Sequence, residues 1–252
     1  MKFIGLDFGW TTGPTGLCSL TFQAQTLQII DITRIAEIEN ILTWIDTQTP
    51  TPEPALIAVD APTLIYNQTG MRQADKLAHK HFGKYHAGCY PANLNSRFAT
   101  RTIALGIALE NRGFIHAPTI EPQKPGRYQI EVYPHPAIVN LFGLNKILKY
   151  KKGILEERKK ELTKLQNHVL KTLPTLEPKL DLNQTTNPLE IFSDLTKQTG
   201  PKLKAIEDQL DALICAYIAA YWWYWGHQKN LILGDQTTGY IVIPNPNNQT
   251  NP

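Results

Sequence analysis

Two short apolar runs each end in an aspartate: Phe3-Ile4-Gly5-Leu6-Asp7 and Leu56-Ile57-Ala58-Val59-Asp60. In an open α/β sheet, ligands bind beyond the carboxyl ends of the strands. Two strands finishing in Asp at that edge would bring two carboxylates together. Carboxylates so placed either raise each other's pKa or share a divalent cation. A shared cation serves phosphoryl transfer and nucleic-acid hydrolysis. A late segment supplies further acids, Ile206-Glu207-Asp208-Gln209-Leu210-Asp211-Ala212-Leu213. On a helix its apolar stripe runs through Ile206, Leu210, Leu213, Ile214, Tyr217 and Tyr221; Asp211 lies at the stripe's edge and Asp208 further round. Either can turn toward the strand ends. Glu131, inside Ile130-Glu131-Val132-Tyr133-Pro134, has apolar neighbours. An unpaired charge is costly there, so Glu131 is expected either to pair with an arginine or to join the carboxylate group.

Positioning these groups requires a particular order of elements. Residues 2–7 read as a buried strand, followed by a Gly-rich turn and strands at 16–22 and 27–33, joined closely enough to form an antiparallel meander. Apolar residues at 35, 38, 41, 42 and 45 predict a helix over 35–47. That crossover lets the strand ending at Asp60 run parallel to the first. Helices are expected at 70–82 and 93–111 with a loop at 83–91 between them, then a short strand at 129–133 stopped by Pro134. A basic, solvent-facing helix follows at 153–173, a polar loop at 181–188, a long helix at 203–224 and a terminal hairpin at 230–243. The Asn/Pro-rich residues 245–252 read as a disordered tail. Together these predict one α/β domain over 1–244: a mixed sheet with three antiparallel strands then parallel strands, flanking helices, and a helical, basic insertion around 143–200.

The net charge of +3 is unevenly spread, since residues 143–171 hold nine Lys or Arg against three acids. That stretch could contact phosphates without reading bases, or be a solvated helix laced with Glu–Lys pairs. Three scattered cysteines without a C-x-x-C argue against a zinc knuckle and a disulfide framework, and point to a reducing, cytoplasmic setting. The apolar stretch 210–225 is interrupted by Asp211 and too short to span a bilayer. His79 and His81 are two apart and cannot share a helix face as a ligand pair. The aromatic run 221–225 is expected to pack into the core before it stacks on bases.

The order of these pieces resembles the ribonuclease H-like fold. More closely, the chain resembles the predicted-nuclease family catalogued as domain of unknown function 429. The matching pieces are Ile4-Gly5-Leu6-Asp7, Ala58-Val59-Asp60-Ala61-Pro62, Gly70-Met71-Arg72-Gln73-Ala74-Asp75, Ile130-Glu131-Val132-Tyr133-Pro134, the set Lys151, Gly153 and Arg158, and residues 208–216, covering about 3–222. The resemblance implies a Mg²⁺ or Mn²⁺ site built from Asp7, Asp60, Glu131 and either or both of Asp208 and Asp211, with catalysis by those carboxylates. It also implies substrate contacts from Arg72, Asp75, Lys151 and Arg158. The expected partner is DNA or RNA, with no membrane and with dimerisation left open. The expected activity is metal-dependent hydrolysis of phosphodiester bonds. Two rival readings stand beside it. The Asp7-Phe8-Gly9 start followed by a Thr/Gly-rich turn also occurs in actin-like ATPases and phosphotransferases, whose turn amides cradle phosphate. A nucleic-acid-binding domain without catalysis is the other.

Overall fold

The computed structural model describes residues 1–182 and 190–247. A meander comes first: β1 (Lys2–Asp7), β2 (Thr15–Gln23) and β3 (Thr26–Ile35) pair antiparallel in turn. The helix α1 (Ile38–Gln48) then carries the chain back, so that β4 (Ala55–Val59) lies parallel to β1 with Leu6 beside Val59. Next come α2 (Gln73–Phe82), α3 (Ala99–Glu110), the short β5 (Ile115–His116) and β6 (Arg127–Glu131), which is parallel to β4. The remaining elements are α4 (Pro134–Leu141), α5 (Leu155–Thr172), β7 (Lys179–Asp181), α6 (Gly200–Trp225), β8 (Asn230–Asp235) and β9 (Gly239–Pro244). The main sheet has the order β5-β6-β4-β1-β2-β3-β7, and β8 and β9 form a separate ribbon. Three antiparallel strands followed by parallel ones, with helices on the flanks, match the expected ribonuclease H-like arrangement.

Strand β1 alternates between the two faces of the sheet. Phe3 packs with Leu20, Leu56 and the apolar residues of α6, whereas Ile4 and Leu6 pack with Ile41 and Ile45 of α1 and Leu105 and Leu109 of α3. Strand β4 is buried along its whole length, as its unbroken Ala-Leu-Ile-Ala-Val demands of a strand covered on both faces. Helix α6 is buried nearly all round from Leu203 to Trp223, the signature of a helix lying inside a protein. Two glycines let it sit flush on the sheet. A Cβ at Gly5 would come within 2.1 Å of the Ala212 carbonyl oxygen, and one at Gly16 within 2.0 Å of the Asp208 carbonyl oxygen.

Several boundaries differ from the sequence expectation. Helix α2 begins at Gln73, where the Asp75 carboxylate accepts from the Arg72 N–H and fixes the first turn. Residues 93–98 form turns rather than helix, because Asn93 and Ser96 side chains accept local backbone N–H groups. Pro134 does not merely stop a strand. It opens α4, where its missing N–H costs nothing. Lys179–Asp181, expected to lead into a loop, add a parallel edge to β3; most of that loop and the end of the tail lie outside the described residues. The aromatic run packs inward, with the Trp222 and Trp223 indole N–H groups donating to the carbonyls of Ala117 and Lys124. No described helix is long and apolar enough to cross a membrane.

Candidate functional site

Asp7 is the last residue of β1, and Asp60 directly follows β4 on the neighbouring parallel strand, its N–H donating to the Leu6 carbonyl at 2.9 Å. The turn after β1 folds over them: the Trp10 indole N–H donates to the Asp60 carbonyl at 2.7 Å. Because Gly5 and Gly16 admit α6, Asp211 arrives beside the same edge. A lysine completes the group. Lys151 Nζ lies 2.7 Å from Asp211 Oδ2 and 3.6 Å from Asp7 Oδ1, both as ion pairs rather than aligned hydrogen bonds. The Tyr150 hydroxyl donates to Asp211 Oδ1 at 2.8 Å. Arg158 straps this segment in place: its Nε donates to the Tyr150 carbonyl at 3.1 Å, and its guanidinium pairs with the buried Glu207, also at 3.1 Å.

These contacts set an uneven electrostatic balance. Burial pushes the Asp60 carboxyl up to about 7, with Lys151 opposing and Asp211 reinforcing the rise. Burial likewise raises Asp7 well above its ordinary value; Lys151 opposes this, while Asp211, Asp60 and Asp208 add to it. Burial disfavours the Lys151 ammonium, but Asp211, Asp7, Tyr150 and Asp60 outweigh it and hold the lysine charged. His135 is lowered to about 4 by burial and by Lys151, so it is a neutral imidazole at pH 7. Asp60 is distinctive: among the described residues its carboxylate makes no hydrogen bond and no ion pair.

Glu131 is in a second, paired cluster. The Arg72 guanidinium grips it with two bonds, 2.8 and 2.6 Å, and also donates to Asp75 Oδ1 at 2.8 and 3.2 Å and to the Leu64 carbonyl at 3.0 Å. Asp75 Oδ2 accepts from the Ala92 N–H at 2.9 Å, so the cluster also anchors the loop after α2. The Cys89 thiol next to it is pushed up to about 12 by burial and by Asp75, which excludes thiolate chemistry at neutral pH. Asp208 is turned elsewhere, between Arg34 Nε at 2.7 Å and Lys204 Nζ at 2.6 Å.

The structure therefore unites Asp7, Asp60, Asp211 and Lys151 and does not join the five expected carboxylates into one group. Glu131 is neutralised by Arg72, and Asp208 by Arg34 and Lys204. Arg72 and Asp75 are locked to each other, and Arg158 holds the Lys151 segment from behind. Tyr150, Trp10 and His135 were not singled out from the sequence. For Tyr150 a signal existed in its adjacency to Lys151. Trp10 and His135 carry none that separates them from core residues. A family model described as "Protein of unknown function (DUF429)" matches residues 5–237. The chain belongs to the DUF429 family. Comparison with curated proteins finds no match.

In this DUF429 chain the two carboxylate clusters open onto one cavity of about 640 Å³, lined by Asp7, Asp60, Lys151, Arg72, Glu131 and Tyr133 among others. Among the described residues, no three His, Cys, Asp or Glu side chains converge as a ready-made cation nest. The donor set still suits one hard, hydrated cation. Mg²⁺ characteristically takes one or two carboxylates and completes its shell with water and substrate phosphate. Asp7 and Asp60 are such a pair, and the unpartnered Asp60 oxygens are available to it. Glu131, Asp208 and Asp211 have their oxygens committed to arginine, lysine or tyrosine.

Proposed function

We propose that this protein hydrolyses phosphodiester bonds in nucleic acid with one divalent cation, Mg²⁺ or Mn²⁺, recruited by Asp7 and Asp60. The observation that carries the reading is the unpartnered Asp60 carboxylate, held beside Asp7 at the carboxyl edge of two adjacent parallel strands. Such a cation, when bound, polarises a phosphoryl oxygen and lowers the pKa of its water. The chain's own groups do the rest. Asp211, fixed by the Tyr150 hydroxyl, holds the Lys151 ammonium in the cavity. From there Lys151 can offset the negative charge that grows on a phosphorus-bound oxygen, and it occupies a place that a second cation would otherwise fill. Lys152, exposed on the same cavity, can bind a neighbouring phosphate. Three free thiols support a reducing, cytoplasmic setting.

Purified protein should cleave labelled single-stranded DNA or RNA in Mn²⁺ or Mg²⁺ and stop on chelation. Asp60→Asn should lower kcat by about 100-fold or more, the scale of losing one preorganised electrostatic group. Undiminished metal-dependent cleavage by both Asp7→Asn and Asp60→Asn would refute the assignment.

A further inference from the structure

Positive charge left without a partner gathers on α2. This helix buries Ala74, Ala78 and Phe82 against Leu233, Ile241 and Ile243 of the β8–β9 ribbon. At 100° per residue its opposite side carries Gln73, Lys76 and Lys80, all exposed, and Lys84 is exposed just past the helix end. Among the described residues the three ammonium groups make no hydrogen bond and no ion pair; Lys84 only lies over the Tyr85 ring, 4.8 Å from its centroid. Acids are scarce around them. Between residues 61 and 109 the sole acid is Asp75, which is buried and gripped by Arg72. The ribbon beneath adds Asp235, whose Oδ1 is taken up by Thr237 and Thr238. Like charges one turn apart, as at Lys76 and Lys80, weaken a helix, so the fold gains nothing from this row by itself.

We propose that the outer face of α2 is the surface on which single-stranded nucleic acid lays its phosphate backbone beside the cavity. The proposal rests on the phosphodiester reading above for the nature of the partner. A run of contacts joins the lysine row to the candidate site. On the flank of the same helix, the His79 Nε2–H donates to the Cys89 carbonyl at 2.7 Å. Cys89 and Tyr90 both line the cavity. The Lys152 ammonium donates to the Tyr90 hydroxyl oxygen at 3.1 Å, and its chain neighbour Lys151 is held beside Asp7 and Asp211. Tyr90 is 68% exposed, so its ring is open to a base. Cations that track a backbone, with an aromatic ring that stacks a base, are the means by which proteins hold single strands. An anionic membrane would answer to the lysines but not to this helix, because the apolar face that would enter a bilayer is packed on the ribbon. Helix α5 is the poorer surface, since Glu156, Glu157 and Glu161 are interleaved with its cations.

The test titrates a fluorescent single-stranded oligonucleotide, as DNA and as RNA, with the full chain in EDTA at a series of salt concentrations. The Lys76→Glu, Lys80→Glu pair should weaken binding about tenfold or more and flatten the slope of log affinity against log salt by about 1.4, the share of two phosphate contacts. The Lys76→Gln, Lys80→Gln pair, which removes charge without reversing it, should flatten the slope equally. Tyr90→Ala should weaken binding about tenfold with the slope unchanged, because a base stack releases no counterion. The Lys160→Glu, Lys171→Glu pair on α5 changes the net charge as much and should cost less than about threefold, the general effect of charge alone. Equal losses from the α2 and α5 pairs would overturn the assignment to α2. So would an unchanged affinity in either α2 pair or in Tyr90→Ala, or binding of phosphatidylserine vesicles but not of the oligonucleotide. No cation and no bond cleavage enter this measurement. Its failure therefore leaves the phosphodiester reading to its own assay, and a chain that binds the strand without cutting it would overturn that reading alone.

Discussion

Asp60 keeps its proton to about pH 7 because burial penalises the charge. Between the ordinary carboxylate range near pH 4 and that value, the unfolded chain has lost the proton and the native chain still holds it. The native state binds more protons, so stability falls as pH rises through this window. Asp60→Asn removes one share of that fall. Denaturant titrations should find the variant more stable than its parent at pH 8, by on the order of 1–4 kcal/mol, and nearly equal to it at pH 4. An identical pH dependence in the two proteins would show that burial does not strain Asp60. At the scale of single residues, the sequence located Asp7 and Asp60 from the strand ends alone. It did not separate Asp211 from Asp208. The helical angles placed Asp211 at the stripe's edge, but the decision rests with Arg34 on β3, distant in the chain, which takes Asp208 away.

Helix α6 brings Asp211 to the strand ends only because two backbone surfaces touch. At Gly5 any side chain would penetrate the α6 backbone at Ala212 and Ala216. Gly5→Ala must therefore lift the helix from β1. It should cost on the order of 3 kcal/mol in stability, the upper range for overpacked cores, read as a lower denaturation midpoint with an unchanged slope. A fully stable Gly5→Ala protein would mean that α6 is not seated as described. At this scale the sequence was most legible where periodicity was strong. The meander, α1, β4 and α6 follow from apolar runs bounded by turns or from helical spacing. The short β5 and β7 do not, since two or three residues carry no period and owe their pairing to neighbours already in place. The Arg72–Glu131 pair was out of reach in the same way, because it joins a helix start to a strand end.

Across the whole molecule, the basic stretch is quieter than its composition suggests. On α5, Lys159 pairs with Glu156 and Lys164 with Glu161, while Arg158 is turned inward to Glu207. Lys159 is itself largely buried and also donates to the Thr196 carbonyl, so these cations are engaged within the protein, and the exposed Lys164–Glu161 pair contributes little. The cations most useful to a substrate are instead those at the cavity and on α2, and the charge most in need of a partner is the excess of carboxylate over Lys151 inside the cavity. A divalent ion that binds only the native state must stabilise it in proportion to the logarithm of its concentration over Kd. Because Asp60 is protonated below about pH 7, protons and the cation compete for the same oxygens. Saturating Mn²⁺ should therefore raise Tm by about 5 °C at pH 8, the scale expected for a chain of this length, and by much less at pH 6. The shift should vanish in the Asp7→Asn, Asp60→Asn double variant. A shift equal at both pH values, or one that survives in the double variant, would locate the cation away from these two strand ends.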